Sequence, residues 1–154
     1  MKHWLAMLAL LFTAPGLTQA GDAIAVHDAW VRAAPPGATV LAAYLAIDNH
    51  TDKAQALTGA SSPQFDSVEI HRTEVKDGVA SMSAQPRVAI PAHGTLSFEP
   101  NGYHLMLIGP HKALSTGDHV VLRLQYDGQP VQLIHAPVRA ADAPADDMMH
   151  HHHD

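Results

Sequence analysis

Residues 68–83 read VEIHRTEVKDGVASMS, and this stretch decides the fold class. Two runs of strand character, 68–75 and 79–83, flank Asp77-Gly78, and an Asp-Gly pair between such runs is the strongest short-range signal for a β-hairpin. Asp127-Gly128 predicts a second tight hairpin in the same way. Further strands are predicted at 24–32, 40–48, 96–98, 103–108, 120–126 and 131–138. About eight short strands, mostly antiparallel, predict an all-β domain built as a β-sandwich or small barrel.

Composition limits the class of protein. The 154 residues are 47% hydrophobic and 16% charged, which suits one globular domain with a single core. The net charge is −6 and no cluster of Lys or Arg occurs, so a nucleic-acid-binding surface is excluded. There is no cysteine, which excludes disulfides, thiolate metal sites, iron–sulfur clusters and acylation of a lipoprotein cysteine. Histidine is unusually frequent, with 13 copies.

The two ends of the chain differ from its middle. Residues 1–20 have a short polar start, an apolar run at 4–12 and small residues before a predicted cut at Gly21, which is typical of a secretory signal peptide. Nine apolar residues are too few to span a membrane, so we expect a periplasmic protein without membrane insertion after the signal is removed. Residues 21–139 form the predicted domain. Residues 140–154 lose apolar periodicity and are expected to be a disordered tail rich in Met and His.

Methionine marks the candidate chemistry, because only Met82, Met106, Met148 and Met149 follow the predicted signal. In the strand at 103–108, side chains alternate between the two faces of the sheet. His104 and Met106 therefore share one face while Leu105 and Leu107 share the other. Since the leucines can face the core, we expect His104 and Met106 to be presented together on the opposite side.

The predicted hairpin places a second histidine and a second methionine on one face. If Asp77 and Gly78 are the turn residues, Met82 lies opposite Thr73, and His71 is two residues from Thr73 on the same face. His71 and Met82 are then diagonal neighbours, roughly 7–8 Å apart between backbones. A turn shifted back by one residue would instead bring His71 directly opposite Met82. Both registers leave the two side chains on the same face.

Two imidazoles with two thioethers form a donor set with a clear preference among metal ions. Thioether sulfur is soft and uncharged, so it suits Cu(I) and is a poor ligand for Mg²⁺ or Ca²⁺. We predict a Cu(I) site at His71, Met82, His104 and Met106. Because thioethers cannot form disulfides, such a site suits an oxidising compartment, and without thiolate it should release copper to an acceptor that contains cysteine.

The spacing of these residues resembles a known family. His71, ten residues, Met82, twenty-one residues and then His104-Leu-Met106 is similar to the pattern of periplasmic copper chaperones of the PCuAC type, as are the flanking stretches Val68-Glu-Ile-His71 and Gly102-Tyr103-His104. The resemblance covers nearly all of residues 24–138. It implies a cupredoxin-like β-sandwich that binds one Cu(I) through the four residues. It also implies delivery to the copper A subunit of cytochrome c oxidase, alongside a Sco-type assembly protein.

Other functions can be weighed by whether they need the four candidate ligands. A periplasmic copper buffer or resistance protein would need the same ligands, and a purely structural β-domain would need none. A blue-copper electron carrier requires a cysteine, and there is no G-x-S-x-G, H-E-x-x-H or paired-carboxylate pattern, so we expect a monomeric binding protein and no enzyme. The remaining histidines have no Met or carboxylate partner at ligand spacing and are interpreted as structural or surface residues: His27, His50, His93, His111, His119 and His135.

The tail offers a second candidate site. It contains Met148, Met149, His150, His151, His152 and His153. Imidazoles favour Cu(II) and the methionines can engage Cu(I), so this segment is a candidate second copper site. The alternative interpretation is a purification tag, although tags usually contain six histidines and lack a Met-Met pair before them and an Asp after them.

Overall fold

The computed structural model describes residues 23–141 and places ten β-strands there. They are β1 (Ile24–Arg32), β2 (Val40–Asn49), β3 (Gln55–Ser61), β4 (Phe65–Lys76), β5 (Val79–Ala84), β6 (Val88–Ile90), β7 (Thr95–Phe98), β8 (Tyr103–Pro110), β9 (His119–Tyr126) and β10 (Gln132–Arg139). The predicted all-β class is confirmed. Within this described range there is no helix long and apolar enough to cross a membrane. The predicted signal peptide and most of the predicted tail lie outside the described residues.

The strands form a small barrel with two additional strands. The order β4-β8-β7-β2-β1-β10-β9-β3 closes on itself because β3 also pairs with β4, through Ala60 and Val68. β5 extends the sheet beyond β4, and β6 extends it beyond β3. Most neighbours are antiparallel, and the exceptions are β1–β10 and β7–β8. The strand pattern predicted a β-sandwich or small barrel, and the closed sheet is the small barrel, in agreement with the cupredoxin-like fold that the resemblance implies.

The core fills the inside of the barrel with alternate residues from each strand. In β8, Leu105 and Leu107 are fully buried, and in β9, Leu122 and Leu124 are fully buried as well. The period of two fixes which face of each strand points inward, because shifting a strand by one residue would expose its apolar side chains. The other face of β4, β5 and β8 is therefore available for the candidate ligands.

The hairpin that joins β4 and β5 has the turn that the sequence predicted. Asp77 and Gly78 both adopt left-handed φ angles, of 52° and 77°. This conformation matches the twist of the two strands, and Asp and Gly tolerate it better than most residues do. Thr73 pairs with Met82, so the first of the two registers considered is confirmed and the shifted register is wrong.

The second hairpin differs from its prediction. Asp127-Gly128 does form a turn, but β10 begins only at Gln132, so the connection between β9 and β10 is longer than two residues. Gln132 pairs with Leu124, and continuing this register would place Pro130 opposite Tyr126. Because proline has no N–H to donate, the ladder ends before the turn.

Two strands, β3 and β6, were missed by the sequence patterns. β3 reads QALTGAS, which is poor in β-branched and aromatic residues, and β6 has only three residues. β3 is held by partners far away in sequence, with Leu57 opposite Val88 of β6 and Ala60 opposite Leu124 of β9. Tertiary pairing therefore overrides a weak local preference for strand in this part of the chain.

Candidate metal centre

The candidate ligands are carried by three adjacent strands, β5, β4 and β8. His71 near the middle of β4 lies directly opposite His104 of β8 and, on its other side, opposite Ala84 of β5. Met106 is two residues beyond His104 and lies opposite Glu69. His71, Met82, His104 and Met106 therefore occupy one face of neighbouring strands, as the alternation predicts.

The two histidines are close together and largely shielded from solvent. Their ring centroids are 5.9 Å apart and the ring planes are tilted by 49°. The His71 side chain is 13% exposed, and His104 is one of the few buried polar residues of the described chain. His104 points away from the barrel core, as expected, yet it is covered by its neighbours on the outer face.

Met82 is the most exposed of the four, at 54%. Together with His104 and Met106 it lines an open groove of about 310 Å³. Apolar residues from 33–35 and 40–42, together with Arg32, form the rest of the wall. We call this feature the methionine groove. His71 does not line it but stands beside His104, so the structure gathers three of the four candidates around one opening and places the fourth next to it.

Hydrogen bonding leaves particular ring nitrogens free. The Nε2 atom of His71 is 2.7 Å from Oε2 of Glu69, whereas its Nδ1 atom is buried and has no hydrogen-bond partner in the described part of the chain. The Nδ1 atom of His104 lies 3.3 Å from the carbonyl oxygen of Gly102, to which it donates. Each histidine thus has one nitrogen engaged and one with an available lone pair.

Nitrogen and oxygen donors alone do not form a metal site in the described range. Within residues 23–141, no three His, Asp or Glu side chains are arranged to hold a metal ion. The four His and Met residues remain the candidate set, and its softness depends on the two sulfurs. The tail candidates Met148, Met149, His150, His151, His152 and His153 lie outside the described residues.

Three of the other histidines have carboxylate partners that the sequence analysis did not foresee. The Nδ1 atom of His27 is 2.7 Å from Asp28, and its Nε2 atom is 3.1 Å from Asp48. His93 pairs with Asp52 at 2.7 Å, and His111 pairs with Asp66 at 3.1 Å. All three histidines are about half exposed or more, in line with their interpretation as surface residues. Only the Asp28 partner is adjacent in sequence, and the others are brought in by the fold.

Two of these groups have shifted pKa values. The hydrogen bond that His27 donates to the Asp28 carboxylate, with a contribution from Asp48, raises the pKa of His27 above the ordinary histidine value. The Thr95 hydroxyl donates to Asp48 and, with the nearby His27, lowers the pKa of that carboxyl group. Both side chains reach solvent, which screens these interactions.

The chain is similar to known proteins in both sequence and fold. Its sequence matches the family "Putative lipoprotein LpqE-like" over residues 24–138. The chain belongs to the LpqE-like family. "Putative lipoprotein Lxx21020" from Leifsonia xyli subsp. xyli is 32% identical over 119 residues, which are 77% of this chain and 70% of that relative.

Solved structures with the same fold are PCuAC domains and their relatives. The Cu(I) form of DR1885 from Deinococcus radiodurans is 32% identical to this LpqE-like chain, with a TM-score of 0.63 and coverage of 79% of this chain and 81% of that one. The copper-bound PCuAC domain from PmoF2 is 24% identical, with a TM-score of 0.66 and coverage of 77% and 93%. The resemblance to PCuAC-type proteins, and the fold it implied, are confirmed.

Proposed function

We propose that this LpqE-like chain is a copper(I)-binding metallochaperone. One Cu(I) ion is held by His71, Met82, His104 and Met106, and the ion is cargo that is passed on. The observation that carries the proposal is the gathering of Met82, His104 and Met106 around one groove, with His71 in contact range of His104. Two thioethers and two imidazoles match the preference of Cu(I) for soft and borderline donors.

The exposure of the four side chains supports a role in transfer. His104 is buried and His71 nearly so, whereas Met82 lines the groove and is more than half exposed. A ligand at the surface can be displaced by an incoming donor without opening the barrel. The solved relative from D. radiodurans, at 32% identity, exists in a Cu(I)-bound form, which supports the same cargo for this chain.

Copper binding is tested by titrating the apo protein with Cu(I) in competition with a chromogenic Cu(I) chelator. We expect one equivalent to bind tightly. X-ray absorption on the loaded protein should then count two sulfur and two nitrogen neighbours. Failure to take up Cu(I), or a shell without sulfur, would overturn the proposal and leave a structural β-domain as the better explanation.

The second part of the proposal concerns delivery of the bound copper to an acceptor protein. Because the chain resembles PCuAC proteins, we propose that the acceptor is the copper A subunit of cytochrome c oxidase, with a Sco-type assembly protein as a second partner. Mixing the Cu(I)-loaded chain with the purified copper A domain should move copper to the acceptor, which has thiolate ligands. If the chain kept its copper under these conditions, the alternative of a copper buffer or resistance protein would be favoured.

The tail is proposed as an accessory copper site that supplies the folded one. Its residues Met148, Met149 and His150–His153 follow β10 in sequence. The end of β10 adjoins the methionine groove, because the carbonyl oxygen of Arg139 accepts a hydrogen bond of 2.7 Å from the backbone N–H of Ala33, which lines the groove. Imidazoles in the tail favour Cu(II).

Truncation after Ala143 tests the tail. We expect the truncated chain to keep the single Cu(I) equivalent, to lose any Cu(II) binding and to load more slowly from dilute copper. Unchanged copper uptake and stoichiometry would refute a role for the tail.

A periplasmic location is proposed with residues 1–20 as the signal peptide and residues 21–139 as the domain. The copper-handling proposal fits this compartment, since a site built from thioethers does not depend on reduced thiols. Cell fractionation followed by N-terminal sequencing of the purified protein tests it. A first residue near Gly21 is expected, and recovery of the intact chain from the cytoplasm would contradict it.

A further inference from the structure

We infer that Glu69 positions His71 so that its Nδ1 atom, and not its Nε2 atom, is the nitrogen offered to copper. The inference rests on the proposed function, because it concerns how the same site is built. It adds a residue outside the four ligands and assigns a particular donor atom to each histidine. Glu69 is a positioning residue here and does not itself bind the ion.

The contact between Glu69 and His71 fixes which nitrogen carries the proton. Glu69 and His71 are two residues apart on β4, so their side chains leave the same face of the strand. The Nε2 atom of His71 is 2.7 Å from Oε2 of Glu69, a short distance for a nitrogen and a carboxylate oxygen. A carboxylate can only accept, so Nε2–H is the donor and Nδ1 of the neutral ring carries the lone pair.

The other ring nitrogen of His71 has no hydrogen-bond partner among the described residues. This atom, Nδ1, is buried. Leaving a polar atom buried and unpaired costs free energy, and such atoms are rare in native proteins. The cost has a reason if the atom is held ready for an ion that arrives from outside the chain.

Strand β8 brings Glu69 and His71 close to the other proposed ligands. Glu69 lies opposite Met106, and His71 lies opposite His104, so the carboxylate is on the ligand face although it does not line the groove. His104 donates from Nδ1 to the Gly102 carbonyl, which leaves Nε2 as its free nitrogen. The assignment is thus asymmetric, with Nδ1 of His71 and Nε2 of His104. A carboxylate that accepts from a ligating histidine also fixes the ring orientation and increases the basicity of the ligand.

The experiment is a long-range proton–nitrogen NMR spectrum of the full ¹⁵N-labelled chain before and after one equivalent of Cu(I), which is diamagnetic. In the apo protein we expect His71 to be the Nε2–H tautomer. On loading, the Nδ1 resonance of His71 and the Nε2 resonance of His104 should move most. If copper binds but shifts Nε2 of His71 instead, the inference is wrong while the proposed function stands. If Cu(I) shifts no histidine nitrogen, the proposed function itself fails.

Variants of Glu69 provide a second readout. Glu69→Ala should weaken Cu(I) binding by about 10- to 100-fold and should mix the two His71 tautomers. Glu69→Gln keeps an accepting oxygen, so it should restore the Nε2–H tautomer and most of the affinity. The matched control is Glu74→Gln, an exposed carboxylate on the same strand that pairs with Arg72. Because Glu69 is half exposed, circular dichroism should report a native fold for each variant. Unchanged affinity and tautomer in Glu69→Ala would overturn the inference.

Discussion

His71 and His104 stand directly opposite each other on antiparallel strands, with their ring centroids 5.9 Å apart. They are brought together by the pairing of β4 with β8. His71 is brought near Met82 by a local hairpin, whereas it is brought near His104 by the pairing of two strands that are far apart in sequence. The candidate centre therefore joins a local motif to a long-range one, and it is complete only in the folded chain.

Removing either methionine should weaken copper binding without unfolding the protein. Met82→Ala and Met106→Ala each remove one soft donor, so we expect Cu(I) affinity to fall by about tenfold or more, or at least about 1.4 kcal/mol. Competition with a chromogenic Cu(I) chelator measures the affinity, and circular dichroism checks the fold. The control is Val79→Ala, an exposed apolar residue on the same hairpin. An equal loss of affinity in this control would show that the methionines are not specific donors.

Truncating the leucine between the two candidate ligands of β8 should have the opposite effect. Leu105 is fully buried in the core, so Leu105→Ala leaves a cavity and should lower the free energy of unfolding by about 2–5 kcal/mol. Urea denaturation measures the change, and copper stoichiometry measured below the transition should remain one. If Met106→Ala destabilised the fold as much as Leu105→Ala, the assignment of opposite roles to the two faces of β8 would be wrong.

Asn49 is a buried polar residue whose amide ties β2 to the segment around β6. Its Nδ2 atom donates to the carbonyl oxygens of Lys53, Ile90 and Pro91, and its Oδ1 atom accepts from the backbone and hydroxyl of Thr51. Asn49→Asp would replace the donor with a carboxylate facing three carbonyl groups. We expect a loss of about 3 kcal/mol in the free energy of unfolding at neutral pH.

Thermal and urea denaturation test the Asn49 prediction. The matched control is Gln125→Glu, the same amide-to-carboxylate change at an exposed position on β9. Similar stabilities for the two variants would contradict the importance of the buried amide.

Some features of the candidate site were predictable from the local sequence, and others depend on tertiary contacts. The turn at Asp77-Gly78 fixed the register of Met82 because two left-handed residues in succession favour that hairpin. Alternation placed His104 and Met106 on one face. The burial of His104 was not predictable, because it depends on cover supplied by the tertiary fold. The contacts of His27 with Asp48 and of His93 with Asp52 also depend on pairing between distant segments, for which the local sequence carries no signal.

His27 should make the stability of the fold depend on pH. Its pKa is raised in the folded state by the hydrogen bond with Asp28 and by Asp48. The protonated form therefore favours folding, and this contribution is fully present below the ordinary histidine value of about 6.5. The contribution is lost as the pH rises through the folded-state pKa. His27→Gln should lower the melting temperature slightly at pH 5.5 and leave it unchanged near pH 9.

Differential scanning calorimetry across this pH range tests the His27 prediction. His135→Gln on β10 is the control, because His135 is an exposed histidine without an ion-pair partner among residues 23–141. A pH-independent change in His27→Gln would count against charge as its cause.

β5 is bonded along one side only in the part of the chain that the structure describes, and all six of its residues are exposed. A cuprous ion bound by both Met82 on this edge strand and His104 on β8, two strands away, would link the edge strand to the barrel. Copper loading should slow amide hydrogen exchange in Val79–Ala84. Release of the ion should restore the mobility of this edge strand, while the closed barrel keeps its conformation.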